Sequence, residues 1–385
     1  MSIVLNEILS KEKLEKAYNH CIKKVDFAME SFKGGIFPFG SSENNIYKPT
    51  GNIDNWIQGF WSGMLWISYE LTDDKKYKDA ALLQIPSYTK RITERLGVNH
   101  HDMGFLYTPS CVAAYKLAGD EEAKKAALLA ADNLVSRYHE KGNFIQAWGP
   151  LGSENNYRLI IDCLLNIPLL FWVSEVTGNK KYSEIAIRHF NTTADNIMRP
   201  DGSTYHTFYF DKETGLALRG ATAQGAGDNS CWARGQAWGI YGMMLTEAYC
   251  HTEKAIPQFK KICDYFINYL PKDCIPFWDM IFTDGDEEPR DSSAAAIAIC
   301  GILEACKFLP DKDKEKYLPI ANKMMASLID GYLSENMPEC NGILLHSTNS
   351  KPDGIGVDEC TIWGDYFFME ALIRFMTDNK WTLYW

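Results

Sequence analysis

The segment LAGDEEAKKAALLAADNLVSRY, Leu117 to Tyr138, holds the end of one helix and most of the next. Leu117 to Asp120 reads as helix end, turn and cap, with Asp120 as the N-cap. Behind it Ala123, Ala127, Ala130, Leu134 and Tyr138 step by four, three, four and four. That spacing lays one apolar stripe along a helix that shows its charges on the other face. The same form recurs in LTDDKKYKDAA from Leu71, capped by Asp74, and in VTGNKKYSEIA from Val176, capped by Asn179.

The segments before these turns differ in kind. NWIQGFWSGMLWISYEL, GFLYTPSCVAAYKLA and LIIDCLLNIPLLFWVSEV are apolar nearly all round, as a helix buried on every side must be. RGQAWGIYGMMLTEAYC and SSAAAIAICGILEACKF repeat the pattern, and GDYFFMEALIRFM closes the chain. An amphipathic helix over residues 6–32 opens it without a partner. One outer helix, five inner–outer hairpins and a last inner helix make a ring of six hairpins, an all-α (α/α)6 barrel whose orphan ends pair with each other. An open solenoid is the alternative, but stacked repeats keep a short regular period, and the inner helices here are irregularly spaced. No linker rich in Pro, Gly or Ser divides residues 1–385, so one domain is expected.

The irregular spacing comes from polar, aromatic inserts ahead of the inner helices: FGSSENNIYKPTGNIDNW, GVNHHDMGF, GNFIQAWGPLGSENNYR, the run from Arg199 to Cys231, and NGILLHSTNSKPDGIGVDECTIWGD. All five are expected at one rim, where they form a cleft. Thr204 to Phe210 alternates like a short strand, which predicts a hairpin in the Arg199 insert.

Composition narrows the function. A net charge of −11 argues against nucleic-acid binding, which runs on surplus Lys and Arg. An anionic ligand would need a few local cations. The 11 Trp, 20 Tyr and 19 Phe suit a large core, and they are also the residues that stack on sugar faces. Eleven scattered cysteines without a CxxC pair imply free thiols and a reducing cytoplasm. The first residues read as a charged amphipathic stretch rather than a leader, and no segment reads as a membrane span.

Asp162 lies within RLIIDCLLNIPLL, at the start of an inner helix among apolar neighbours. Burial would raise its pKa and keep it protonated, as a general acid requires, whereas a helix-start carboxylate bonded to backbone N–H groups would have its pKa lowered. Asp102, in NHHDMGF beside His100 and His101, starts another inner helix and is open to the same two readings. Two carboxylates at adjacent helix starts on one rim fit glycosidic chemistry. The histidine pair lacks a third ligand at workable spacing, so no metal and no cofactor is expected. Asp284, Asp286, Glu287 and Glu288 lack calcium-loop spacing. His206 is a rim histidine. Arg234 and Trp238, four residues apart, can share a helix face toward the cleft, with a guanidinium for a carboxylate and an indole plane for a sugar.

These residues resemble the unsaturated glucuronyl hydrolases, glycoside hydrolase family 88, from about Trp56 to Tyr366. The likeness is densest in HHDMGFLYTPS, IDCLLNIPLLFW and SCWARGQAWGIYG. The resemblance implies an (α/α)6 barrel that releases the unsaturated uronic acid from di- or oligosaccharides left by polysaccharide lyases; the sequence leaves both monomer and dimer open. It implies that Asp162 is the general acid and base and Asp102 the second essential carboxylate. His206, Gln224, Arg234 and Trp238 would bind substrate, with Trp56 and Trp148 as further aromatic wall. A Ser-x-x-Ser-x-Lys segment marks relatives that accept sulfated disaccharides; here HSTNSKP keeps Ser347 and Ser350 but brings Lys351 one residue early. An unsaturated rhamnogalacturonyl hydrolase, an N-acylhexosamine epimerase and a non-catalytic sugar-binding barrel are the competing readings.

Overall fold

A computed structural model describes residues 8–50 and 55–385. The inner helices are α2 (Gln58–Thr72), α5 and α6 (Met103–Tyr107, Ala113–Ala118), α8 and α9 (Cys163–Asn166, Pro168–Thr177), α11 (Ala233–Cys250), α13 (Ser292–Ala305) and α15 (Ile362–Met376). Outside them run α1 (Lys11–Ser31), α3 and α4 (Lys75–Leu82, Ile85–Thr93), α7 (Glu121–Val135), α10 (Lys180–Asn196), α12 (Ala255–Asn268) and α14 (Asp311–Gly331). The inner helices touch in sequence order, α15 returns to α2, and α1 packs against α14 and α15. The (α/α)6 ring therefore closes through the pairing of the two ends.

The turns are built as their residues dictate. Asp73, Gly119 and Gly178 end their helices in the left-handed conformation, at φ 57°, 67° and 71°. Asp74, Asp120 and Asn179 then accept the first-turn N–H groups of Lys76, Ala123 and Lys181. Ala123, Ala127, Ala130 and Leu134 are buried. Tyr138 is not part of that stripe: α7 ends at Val135, and Tyr138 begins a short strand. Every residue of α13 is buried, which explains its lack of a polar face. The second inner helix is interrupted by a wider π turn at Thr108–Val112, where Pro109 has no N–H for the helical ladder.

The inserts pair into short sheets: β1 with β2 (Phe37–Pro38, Pro49–Thr50), β3 with β4 (Tyr138–His139, Phe144–Ile145), β5, β6 and β7 (Arg158–Ile160, Thr207–Phe210, Ala217–Ala221), and β8 with β9 (Ser347–Ser350, Ile355–Glu359). The hairpin expected in the Arg199 insert is β6–β7, and β5 from the preceding insert adds a third strand. Main-chain bonds then link insert to insert around one rim: His101 N to Ala147 O, Ile161 N to His206 O, Ala233 N to Trp278 O and Ser292 N to His346 O. The eleven cysteines are free thiols. Among the described residues no helix is long and apolar enough to cross a membrane.

The inner helices also meet in a buried ionic cluster. Arg374 of α15 lies 2.8 Å from Glu304 of α13 and 3.0 Å from Glu370, and it donates to the Tyr241 hydroxyl of α11 at 2.6 Å. Trp385 donates its indole N–H to Glu370 at 2.8 Å.

Candidate active site

Asp102 and Asp162 occupy the N-cap positions of α5 and α8, yet neither side chain makes a capping hydrogen bond. Both are turned instead toward His101. Its Nε2 stands 3.3 Å from Asp102 Oδ1 and 3.3 Å from Asp162 Oδ1. The three donor atoms all fall within 4.8 Å of one another. The third member of a ligand-like set, which the histidine pair alone lacked, is thus Asp162. His100 turns away to the Gly97 carbonyl through Nε2 and presents Nδ1 at 3.1 Å to Asp102 Oδ2.

Asn166, one turn after Asp162, ties the two helix starts together. Its Nδ2 donates to Asp102 Oδ1 at 3.4 Å and to the Asp162 carbonyl at 3.2 Å, while its Oδ1 accepts the Phe105 N–H at 3.0 Å. Sequence reading missed it, although the four-residue spacing from Asp162 was there to be seen.

The helices approach this closely because residue 104 is glycine. A Cβ there would lie 2.4 Å from the Asn166 Cα and 2.7 Å from the Leu165 carbonyl oxygen. Gly104→Ala must therefore push apart the two segments that carry the carboxyls. The expected cost is about 1–3 kcal/mol of overpacking, seen as a lower midpoint in urea, together with a drop in kcat. Full activity in the Ala variant would show that the separation is not set here.

Electrostatics divide the pair. Burial pushes the Asp162 carboxyl well above its ordinary range, and the charge of Asp102 adds to the rise, while Arg234 offsets part of it. Asp102 goes the other way: burial raises it, but His101, His100 and the Asn166 amide outweigh that and hold it below the usual carboxylate value. Burial brings His101 itself down to about 4. Above that pH it is a neutral ring, with its Nε2 facing both carboxyls. One carboxyl is protonated and its neighbour ionised, the division that acid catalysis needs.

The other residues singled out in the sequence are placed as follows. His206 is buried, and its Nδ1 accepts the Ala223 N–H at 2.9 Å, so the ring hydrogen sits on Nε2. Burial, with Arg158 and Arg234 nearby, lowers its pKa to about 3, so it can donate but not charge. Trp56 stacks on Trp363 at 5.2 Å, and Trp148 is 37% exposed. Trp238 differs from expectation: it is buried against Phe105 and Phe367, at centroid distances of 5.3 and 5.4 Å, and forms floor rather than a free plane.

Arg234 differs as well. It is buried between Trp232 and Trp363, pairs with Asp291 at 2.9 Å, and donates to the carbonyls of Thr348 and Asn349. The charge that looked unmatched among tryptophans has its counter-ion, and the guanidinium anchors the β8–β9 hairpin. Gln224 donates to the same Asn349 carbonyl at 3.1 Å. On that hairpin Ser347 is buried against Ser292, Ser350 donates to Asp353 at 2.6 Å, and the Lys351 ammonium lies 3.9 Å from Glu288.

Residues 40–375 match the family model described as Glycosyl Hydrolase Family 88. The chain is 48% identical, over 98% of its own length and 95% of the relative's, to an unsaturated chondroitin disaccharide hydrolase of Streptococcus pneumoniae. It is 42% identical, over 89% of its length and 91% of the relative's, to an unsaturated glucuronyl hydrolase of a Bacillus species. Among solved structures it superposes on an unsaturated glucuronyl hydrolase of Streptococcus agalactiae with a TM-score of 0.95 at 48% identity, covering 99% of this chain and 95% of that one. An Asp-to-Asn variant of that enzyme, solved with dGlcA-GalNAc6S, gives 0.87 at 44% identity over 99% and 95% of the two chains.

Proposed function

Because the chain belongs to glycoside hydrolase family 88, we propose that it releases the 4,5-unsaturated uronic acid from the non-reducing end of lyase-generated, chondroitin-type di- and oligosaccharides. The single observation that carries the catalytic reading is the pair Asp102–Asp162, held within reach of one imidazole, with burial raising the Asp162 carboxyl and the neighbouring histidines holding Asp102 low.

The substrate's C4=C5 double bond beside the ring oxygen is an enol ether, which is basic at C4. Protonated Asp162 gives its hydrogen to C4, and positive charge develops at C5, shared with the ring oxygen. Water adds to C5 while the ionised Asp162 takes one of its protons, which restores the acid. The resulting hemiketal opens, and the neighbouring sugar leaves from C1 without any attack on that carbon. Asp102 holds ring hydroxyls, and its charge keeps the Asp162 proton in place. His206 donates through Nε2–H to the sugar or the water. Trp56 and Trp148 wall the cleft, while Trp238, Arg234 and Gln224 fix its floor and the hairpin that carries Ser347, Ser350 and Lys351. His101, Asp102 and Asp162 serve here as a proton-transfer set. The ring closure by α1 supports reading the whole chain as one catalytic domain.

The test is isotopic. In oxygen-18 water the released uronate should carry the label at C5 and the partner sugar should carry none, as ultraviolet absorbance of the enol ether disappears. Label at C1 of the released uronate, with none at C5, would mean ordinary glycosidic attack and would remove this mechanism.

A further inference from the structure

Asp291 and two carbonyls occupy Arg234, so another cation is needed where the cleft meets anionic sugar. Four residues before Asp162, on the strand that leads into it, Arg158 is 91% buried by residue area, which stands at 9% exposed. Its Nη1 donates to the Tyr209 hydroxyl at 2.7 Å, and its Nε is buried with no hydrogen-bond partner. Among the described residues no carboxylate lies within ion-pair distance of Arg158 or of Arg219. A buried guanidinium without a counter-ion is costly, and burial of this kind is otherwise paired.

The register of the rim sheet sets these groups side by side. Tyr209 is opposite Arg158 on β5 and opposite Arg219 on β7, so the three share one face. The Arg219 guanidinium lies 4.5 Å from the Tyr209 ring centre, and that of Arg158 lies 4.6 Å from the Trp148 ring. The result is a strip of alternating aromatic and cationic side chains. It opens at its outer end on a cavity of about 540 Å³ lined by Tyr209, Arg219 and Asn155. Glu154, Asp211, Lys212 and Glu213 line the same cavity; Asp211 is engaged by the turn at Glu213 and Thr214, and Arg219 is the cation beside Tyr209. Four residues of extended chain span at most about 13 Å, the reach of two to three sugar rings from Asp162. Ala147 donates its N–H to the Arg158 carbonyl at 3.0 Å and accepts the His101 N–H at 2.9 Å, which places the strip's inner end beside the catalytic pair.

We infer that the sheet face bearing Trp148, Arg158, Tyr209 and Arg219 is a subsite for a carboxylate- or sulfate-bearing sugar on the reducing side of the unsaturated residue, an inference that rests on the reading of the catalytic pair given above. Aromatic planes take sugar faces and the two guanidinium groups take the acidic substituent.

Three substrates separate the possibilities: an unsulfated unsaturated disaccharide, an unsaturated tetrasaccharide with an acidic extension, and one with a neutral extension. Arg219→Gln, at an exposed position, should raise KM for the acidic tetrasaccharide about three- to fivefold and leave kcat and the neutral tetrasaccharide unmoved. Arg158→Met should raise the same KM about tenfold or more. Equal shifts for acidic and neutral tetrasaccharides, or none with Arg219→Gln, overturn the subsite. If Arg158→Met fails to fold, Arg219→Gln decides alone. Failure of the underlying catalytic reading looks different: the wild-type protein would then leave all three double bonds intact.

Discussion

Asp162→Asn should abolish double-bond loss by a factor between about 10² and about 10⁴, with binding of the unsaturated disaccharide close to that of the wild type by calorimetry. The amide keeps the shape of the carboxyl but has no acidic hydrogen to give to C4 and no basic oxygen to accept one from water. Two pH signatures accompany the loss. In the wild type kcat/KM falls as pH rises through the raised Asp162 pKa, since the reactive form is the protonated one. Stability moves in the same direction. The folded state holds this proton above the unfolded value of about 3.9, so stability declines as pH rises from there to the folded pKa. The Asn variant lacks that decline and should melt higher than the wild type at neutral and alkaline pH. A variant that stays within tenfold of wild-type kcat would place the acid elsewhere.

Arg374→Met carries the largest expected effect on stability. It leaves Glu304 and Glu370 buried without their cation, and Lys307, 2.9 Å from Glu304, offsets part of the charge. Removing one partner of a buried ionic cluster costs about 3–5 kcal/mol, measurable as a shift of the guanidinium midpoint at unchanged slope. The triple variant that also carries Glu304→Gln and Glu370→Gln should regain much of the loss, because no charge is then left unpaired. A single-variant cost below about 1 kcal/mol would mean that water reaches the cluster.

The barrel was legible because its signals are local. A cap such as Asp120 and a stripe such as Ala123 to Leu134 depend only on residues within a few turns of each other, and both are found in place. What failed was of two kinds. Tyr138 extended a stripe by one step beyond the helix, a boundary error. The pairing of β5 with β6, the contact of His101 with Asp162 and the counter-ion Asp291 join residues roughly 45 to 60 positions apart, and no spacing rule reaches that far. Arg234 shows the consequence best. Read locally, an arginine between tryptophans asks for an anionic ligand, and the protein supplies the anion itself from the next inner helix start. The nearness of Asp102 to Asp162 was likewise unreadable, yet its cause, the glycine at 104, sits two residues from one of them.

Arg234 and Gln224 hold the β8–β9 hairpin by its main-chain oxygens rather than by its side chains. Such a grip is indifferent to which amino acids occupy Thr348 and Asn349. The loop can therefore trade its outward chemistry, including any preference among sulfated sugars, while its seat stays fixed. Diversification should begin there, and randomising the bolt instead of the bolted strand should mostly yield proteins that do not fold.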